Sequence, residues 1–188
     1  MKRLLVGITG ASGVVYGIRL LMALRDAPDV ESHLILSPGA AVTLGFETER
    51  RAEDVRALAD VVHDHADLAA PVASGSFPMH GMVVAPCSMK TLAQIALSLG
   101  DNLLARAADV TLKERRRLVL VPRETPLHLG HLRHMTAVTE MGGVILPPAP
   151  AFYHGPKTVM DIVDQTVGKV LDQFGIAHDL YRRWGHDA

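Results

Sequence analysis

Four stretches of this 188-residue chain carry side chains suited to holding phosphate or moving protons. The first is Gly7-Ile8-Thr9-Gly10-Ala11-Ser12-Gly13, which closes an aliphatic run and opens directly onto a helical pattern. Glycines permit a tight turn, and a helix N-terminus offers free N–H groups and partial positive charge to an anion. The spacing is GxxGxxG rather than the GxGxxG of dinucleotide sites, so a turn without a ligand is the alternative. The second stretch is Leu36-Ser37-Pro38. NAD-binding folds place a carboxylate at the end of this strand for the ribose hydroxyls. Ser37 suits a phosphate or a flavin's ribityl chain instead. The third, Pro86-Cys87-Ser88-Met89-Lys90-Thr91, is another hydroxyl-rich turn before a helix. Two such turns converging on one crevice suit a mononucleotide such as FMN.

The fourth stretch is cationic. Lys113-Glu114-Arg115-Arg116-Arg117 precedes one aliphatic run and Pro122-Arg123-Glu124-Thr125-Pro126 follows it. Cations at a helix C-terminus complement its dipole, which accounts for most of the first group. Arg123 and Glu124 differ, because a cation and a carboxylate at the carboxyl end of a buried strand point to function. With Tyr153 and Lys169 farther on, Arg, Lys and Tyr could hold a small phosphate without a metal. Two histidine groups, His63-Asp64-His65 with Asp67 and His128/His131/His134, have ligand chemistry but read as surface or capping residues. Cys87 lacks the signature of a nucleophile and reads as a small buried residue.

The elements that must position these groups follow from the hydrophobic pattern. Strands are expected at Leu4–Ile8, His33–Leu36, Met82–Ala85, Leu118–Val121 and Val144–Leu146, each aliphatic and closed by Gly, Pro or Ser. Helices are expected at Val14–Arg25, Thr91–Leu99, Asn102–Arg116, His131–Met141 and Thr158–Phe174. Alternation of strand and helix implies an α/β fold with a mostly parallel sheet and helices on both faces. The segment Ala66–Pro78, with Pro71, Gly75 and Pro78, reads as a functional loop or a disordered one. The whole chain, 1–188, reads as a single domain.

Composition bounds the function. Nineteen Lys and Arg against twenty Asp and Glu give a net charge of −1, which argues against a nucleic-acid partner. Hydrophobic residues make up 48% but aromatics only 4%, the aliphatic content that parallel sheets and large subunit contacts require. A single cysteine excludes an intrachain disulfide framework. The glycines at 7, 10 and 13 interrupt the first apolar run, so neither a signal peptide nor a membrane insertion is expected, and the cytoplasm is the default location.

Taken together, the motifs resemble the UbiX flavin prenyltransferase family over essentially the full chain. The resemblance is carried by the 7–13 turn with Tyr16-Gly17, by Ala73-Ser74-Gly75-Ser76, by Pro86 to Leu92 and by Arg106-Ala107-Ala108-Asp109-Val110. Leu112 to Arg116, Val121 to Leu127, Pro150 to His154 and Arg183-Trp184 complete it. It implies a Rossmann-like flavoprotein fold, a homo-oligomer (usually a dodecamer) and an active site at subunit interfaces. The implied reaction transfers a dimethylallyl group from dimethylallyl phosphate to N5 and C6 of reduced FMN, without a metal. The prenylated FMN serves UbiD-type decarboxylases, as in ubiquinone biosynthesis.

Carried over by position, Gly10, Ala11, Ser12, Ser37, Ser88, Met89, Lys90, Thr91 and Arg123 would contact FMN. Tyr153, Lys169 and Trp184 would bind the prenyl donor, with Arg106, Lys113 and Arg123 around its phosphate. Ser12, Glu47 and Glu124 would be the polar groups near the reacting ring. The chain departs from the family pattern at Pro38-Gly39, where Lys-Ala is common, at Arg117, where proline is common, and at Leu68, where some members carry an aromatic. A flavin-dependent cysteine decarboxylase would need an Asn in the strand-three turn, which this chain lacks. A flavin carrier would not need the Arg123, Tyr153, Lys169 set.

Overall fold

The computed structural model describes residues 1–185. Its centre is a six-stranded sheet in the order β3-β2-β1-β4-β5-β6. The strands are β1 (Lys2–Ile8), β2 (Val30–Leu36), β3 (Val61–His63), β4 (Gly81–Cys87), β5 (Arg117–Pro122) and β6 (Val144–Ile145). Every pairing is parallel. The reason lies in the aliphatic runs. Along β4, Val83 and Ala85 join one apolar core while Met82, Val84 and Cys87 join the other. Along β1, Leu4, Val6 and Ile8 face the first core and Leu5 the second. Strands buried on both faces must be covered twice, and right-handed crossovers supply helices to each side.

One face carries α1 (Val14–Arg25), α2 (Pro38–Glu47), α3 (Ala52–Arg56) and α7 (Val159–Gln173). The other carries α4 (Met89–Ala96), α5 (Leu103–Lys113) and α6 (Leu129–Glu140). Helix α1 lies directly on β4, because Gly17 presents no side chain there. A Cβ at Gly17 would sit 2.3 Å from the Ala85 carbonyl oxygen and 2.7 Å from Ile8.

The expected strands and helices are all present, with shifted ends. Helix α5 stops at Lys113, short of Arg116, and Arg115 has the left-handed φ of 56° that turns the chain toward β5. Helix α4 stops at Ala96, leaving Leu97 and Leu99 exposed. Sequence periodicity missed α2, α3 and β3. Helix α2 turns Val42 and Phe46 outward, which erases the one-sided apolar stripe that marks a surface helix. Strand β3 is three residues long, and His63 lies on it rather than in a polar connection. The 66–78 segment is an ordered loop with a 3-10 turn at Pro71–Ala73. Arg116 donates to the Gly75 and Phe77 carbonyls at 2.7 and 2.9 Å, and Arg106 donates to the Ala73 carbonyl at 3.2 Å. Among the described residues no helix is long and apolar enough to cross a membrane.

A backbone carbonyl cannot yield as a side-chain end can. Gly17→Ala is therefore expected to lower folding stability by about 1–3 kcal/mol through overpacking, read as a lower urea midpoint at unchanged slope. Gly45→Ala in α2, where a Cβ meets nothing within 4 Å, is the matched control and leaves the midpoint unchanged or raised.

Candidate active site

The sheet order reverses between β1 and β4, and ligands of open parallel sheets bind at such a switch point, beyond the carboxyl strand ends. Here the strand ends are fastened to one another. Thr9, buried at the end of β1, donates through Oγ1 to the Pro86 carbonyl and accepts the Ser88 N–H, both at 2.8 Å. The Ser37 N–H donates to the Ile8 carbonyl at 3.0 Å. A single threonine hydroxyl thus sets the spacing of the 9–13 and 86–91 turns.

Between the turns lies a cleft of about 310 Å³, the size range of a small-molecule pocket. Of the residues expected to hold a flavin, Gly10, Ser37, Ser88, Lys90 and Thr91 line it. Ser37 caps α2 by accepting the Ala40 N–H, and Ser88 caps α4 by accepting the Thr91 N–H. Two helix N-termini therefore open beside the cleft, each with first-turn N–H groups that find no partner within the helix. Gly10 and Gly39 bring their backbones together across the rim. A Cβ at Gly10 would lie 2.9 Å from the Gly39 carbonyl carbon, whereas one at Gly39 meets its nearest atom at 3.4 Å. The backbone therefore tolerates an alanine at position 39, but not one at position 10.

Sequence reasoning passed over Thr9, His65, Gln94 and Asn102, which also line the cleft. Gln94 stands one helical turn after Thr91, a spacing that puts both on one face. Asn102, expected only as the first residue of a helix, is the N-cap of α5, its side chain accepting the Ala105 N–H. His65 reaches the cleft because its carbonyl accepts the Leu103 N–H at 2.9 Å. Burial lowers its pKa against the opposing pull of Asp64 and Asp101, so the ring is neutral at pH 7. His63 meets His33 at 2.9 Å. Among the described residues no three His, Cys, Asp or Glu side chains are placed to hold a metal ion. His128 is a helix cap, its Nδ1 accepting the Gly130 N–H. Cys87 is fully buried, and burial pushes its thiol pKa up, away from nucleophile chemistry.

Ala11, Ser12, Met89 and Arg123 lie outside this cleft. Ser12 and Arg123 belong to a second group with Glu47. The sequence pattern offers the N-terminus of α1 to a phosphate; the structure gives it to Glu47. Its carboxylate accepts the Gly13 N–H at 2.9 and 3.1 Å and the Val14 N–H at 3.1 Å. Burial raises the Glu47 pKa, but hydrogen bonds from Ser12, Gly13 and Val14 and the charge of Arg123 more than offset it, leaving the net shift downward. Tyr16 belongs here too: burial raises its pKa while Arg123 lowers it. Glu124 is exposed next to Arg123, and its carboxylate accepts the Thr125 N–H at 3.0 Å.

The remaining cations divide between the two faces of the sheet. Arg106, paired with Asp109, and Lys113, paired with Glu114, stand on α5. Lys169 stands on α7, on the opposite face, with Tyr153 and Trp184 in T-shaped contact at 5.6 Å in the segments flanking that helix. One protomer does not bring Arg106 and Lys113 together with Lys169 and Tyr153.

The flavoprotein family profile matches residues 1–172. Over 186 residues the chain is 60% identical to the flavin prenyltransferase UbiX of Salmonella typhimurium, covering 98% of each chain. The crystal structure of AnUbiX (PadA1) in complex with FMN and dimethylallyl pyrophosphate matches with a TM-score of 0.96 and 51% identity, covering 100% of this chain and 99% of that one. A dodecameric FMN-dependent UbiX-like decarboxylase from Escherichia coli O157:H7 matches with a TM-score of 0.95 and 55% identity, covering 97% and 98%.

The folded protein holds Glu47 ionised to lower pH than the unfolded chain does. Its stabilising contribution is complete above the ordinary carboxylate value of about 4.3 and is lost as pH falls through the folded value. Glu47→Gln is expected to cost about 0.5–1 kcal/mol at pH 7. In urea titrations the gap to the parent protein narrows as the pH is taken below 4.

Proposed function

The chain belongs to the UbiX flavin prenyltransferases of the flavoprotein family, and on that premise we propose how its own residues carry the reaction. The reaction transfers the dimethylallyl group of dimethylallyl phosphate to N5 and C6 of reduced FMN. The carbon–oxygen bond to phosphate breaks, and new bonds form to N5 and C6. The protons lost from those atoms are balanced by protonation of phosphate and of the prenyl double bond. The observation that carries the flavin site is the mononucleotide-sized cleft at the β1/β4 switch point.

In this reading Ser37, Ser88 and Thr91, with the α2 and α4 N-termini and Lys90, hold the FMN phosphate and ribityl chain. Gly10 gives the cofactor a backbone rim, with Ala11, Ser12, Met89 and Arg123 extending the site toward the ring. Arg106, Lys113, Arg123, Tyr153 and Lys169 take the donor's phosphate, stabilising the charge that develops as it leaves. Trp184 encloses the prenyl chain. Holding the allylic carbon near N5 supplies much of the remaining acceleration.

Ionised Glu47 accepts from the Gly13 and Val14 N–H groups and so fixes Ser12 and the 10–13 turn beside the ring. Glu124, exposed and next to Arg123, is the candidate proton-transfer group. Because the α5 and α7 cations face opposite ways, the phosphate site is completed by a second copy of the chain. A dodecamer, as described for the Escherichia coli O157:H7 relative, supplies such contacts. The whole chain then acts as one flavin-binding domain in the cytoplasm, and its product passes to a UbiD-type decarboxylase.

Incubated anaerobically with reduced FMN and dimethylallyl phosphate, the protein is expected to release a flavin heavier by one five-carbon unit. Only unmodified FMN in the mass spectrum would contradict the transfer. Lys169→Ala is expected to weaken use of the donor while sparing FMN binding; equal loss of both would place Lys169 on the other ligand.

A further inference from the structure

The chain beyond α7 is fastened back onto that helix through one carboxylate. Asp172, in the last turn of α7, accepts from Arg183 Nη2 at 2.7 Å and His178 Nε2 at 3.1 Å through Oδ1. Through Oδ2 it accepts from the Tyr181 hydroxyl at 2.9 Å and Arg183 Nη1 at 3.1 Å. One turn back, Gly168 leaves room for the same two rings. A Cβ there would lie 2.5 Å from Tyr181 Cε1 and 2.6 Å from His178 Cε1. Closing the helix does not require this cluster, since the Phe174 and Ile176 N–H groups already bond to the Leu171 carbonyl.

What the cluster fixes is the path of residues 178–184. Tyr181 stacks edge-on against His154 at 6.4 Å, and three residues on, Trp184 meets Tyr153 at 5.6 Å with an interplanar angle of 81°. The Arg183 fork, the tyrosine and the histidine occupy the carboxylate. Lys169 Nζ, at 3.7 Å from Oδ2, is held by charge beyond hydrogen-bond reach and keeps its donors for another anion.

We infer that Asp172 is a positioning residue for the prenyl donor, latching residues 178–184 onto α7 so that Trp184 is set against Tyr153 and the Lys169 ammonium is steered beside them. The inference rests on the roles proposed above for Tyr153, Lys169 and Trp184. The latch keeps its charge at neutral pH. Burial would raise the Asp172 pKa, but donation from Arg183, Tyr181 and His178 holds it well below the usual carboxylate range. Burial and the hydrogen bond to Asp172 push the Tyr181 hydroxyl up to about 12.

Trp184 is the only tryptophan in the chain, so its emission reports the latch directly. Two variants release it by different routes. Asp172→Asn removes the charge, while Gly168→Ala keeps the charge, favours the helix and displaces the two rings. Trp184 is 83% exposed, so its motion rather than its polarity is the readout: both variants are expected to speed the decay of Trp184 fluorescence anisotropy. Both should also raise KM for dimethylallyl phosphate about tenfold, equivalent to ~1.4 kcal/mol, with kcat and FMN affinity little changed. Asp172→Glu should restore part of the loss.

An unchanged Trp184 anisotropy decay in both variants would overturn the inference. So would a parallel fall in kcat and FMN affinity, the mark of general structural damage. If the parent protein itself transfers no prenyl group, the proposed function fails, and the anisotropy arm still decides whether Asp172 sets Trp184.

Discussion

The structure depends on burial of β1 and β4 from both sides. Their side chains alternate between two apolar cores, and all seven residues of β4 are buried. Two-sided burial forces helices onto both faces, and the parallel order then places every strand's carboxyl end along one edge of the sheet. The cleft at the switch point is a consequence. It opens where β1 and β4 diverge to opposite crossovers, and the Thr9 hydroxyl links the two turns there. The same constraint parts the cations, since α5 and α7 cover opposite cores. A phosphate site that draws on both helices is therefore a property of the assembly rather than of one fold.

Within that frame the protein uses the same physical device three times to different ends. The N-termini of α2 and α4, capped by Ser37 and Ser88, open on the cleft and suit an external anion. The N-terminus of α1 is taken by the protein's own Glu47. An internal carboxylate at that place rigidifies the glycine turn and keeps an ionised group beside Ser12 and Arg123. Arg116 has an equally structural task, tying down the 66–78 loop through the Gly75 and Phe77 carbonyls. Residue type alone does not separate such an anchoring cation from those that meet a ligand.

The alternation of aliphatic runs with helical patterns made the parallel α/β fold readable, and the hydroxyl turns after β2 and β4 pointed to a mononucleotide before any coordinates. Composition and periodicity could not show α2, whose outward Val42 and Phe46 break the amphipathic signal. Nor could they show β3, too short to have a period. The cleft residues Thr9, His65, Gln94 and Asn102 were invisible for a different reason. Thr9, His65 and Asn102 reach the site through a tertiary contact or a cap that no local spacing records, while Gln94 follows Thr91 by one turn on a helix whose role the turn residues alone suggested. The role of Glu47 was half legible: its placement near the reacting ring came from family resemblance, while its capture of the α1 N–H groups is seen only in three dimensions.

In the proposed reaction, two faces of the sheet, on different copies, combine to bind the donor's phosphate. Arg106→Ala and Lys169→Ala proteins, each impaired in use of the donor, can be dissociated, mixed and reassembled, and prenyl transfer then measured anaerobically. If one site draws its cations from two copies, mixed assemblies contain some sites with both intact and exceed the activity of either variant alone. Absence of recovery in mixed assemblies of verified composition would contradict the account.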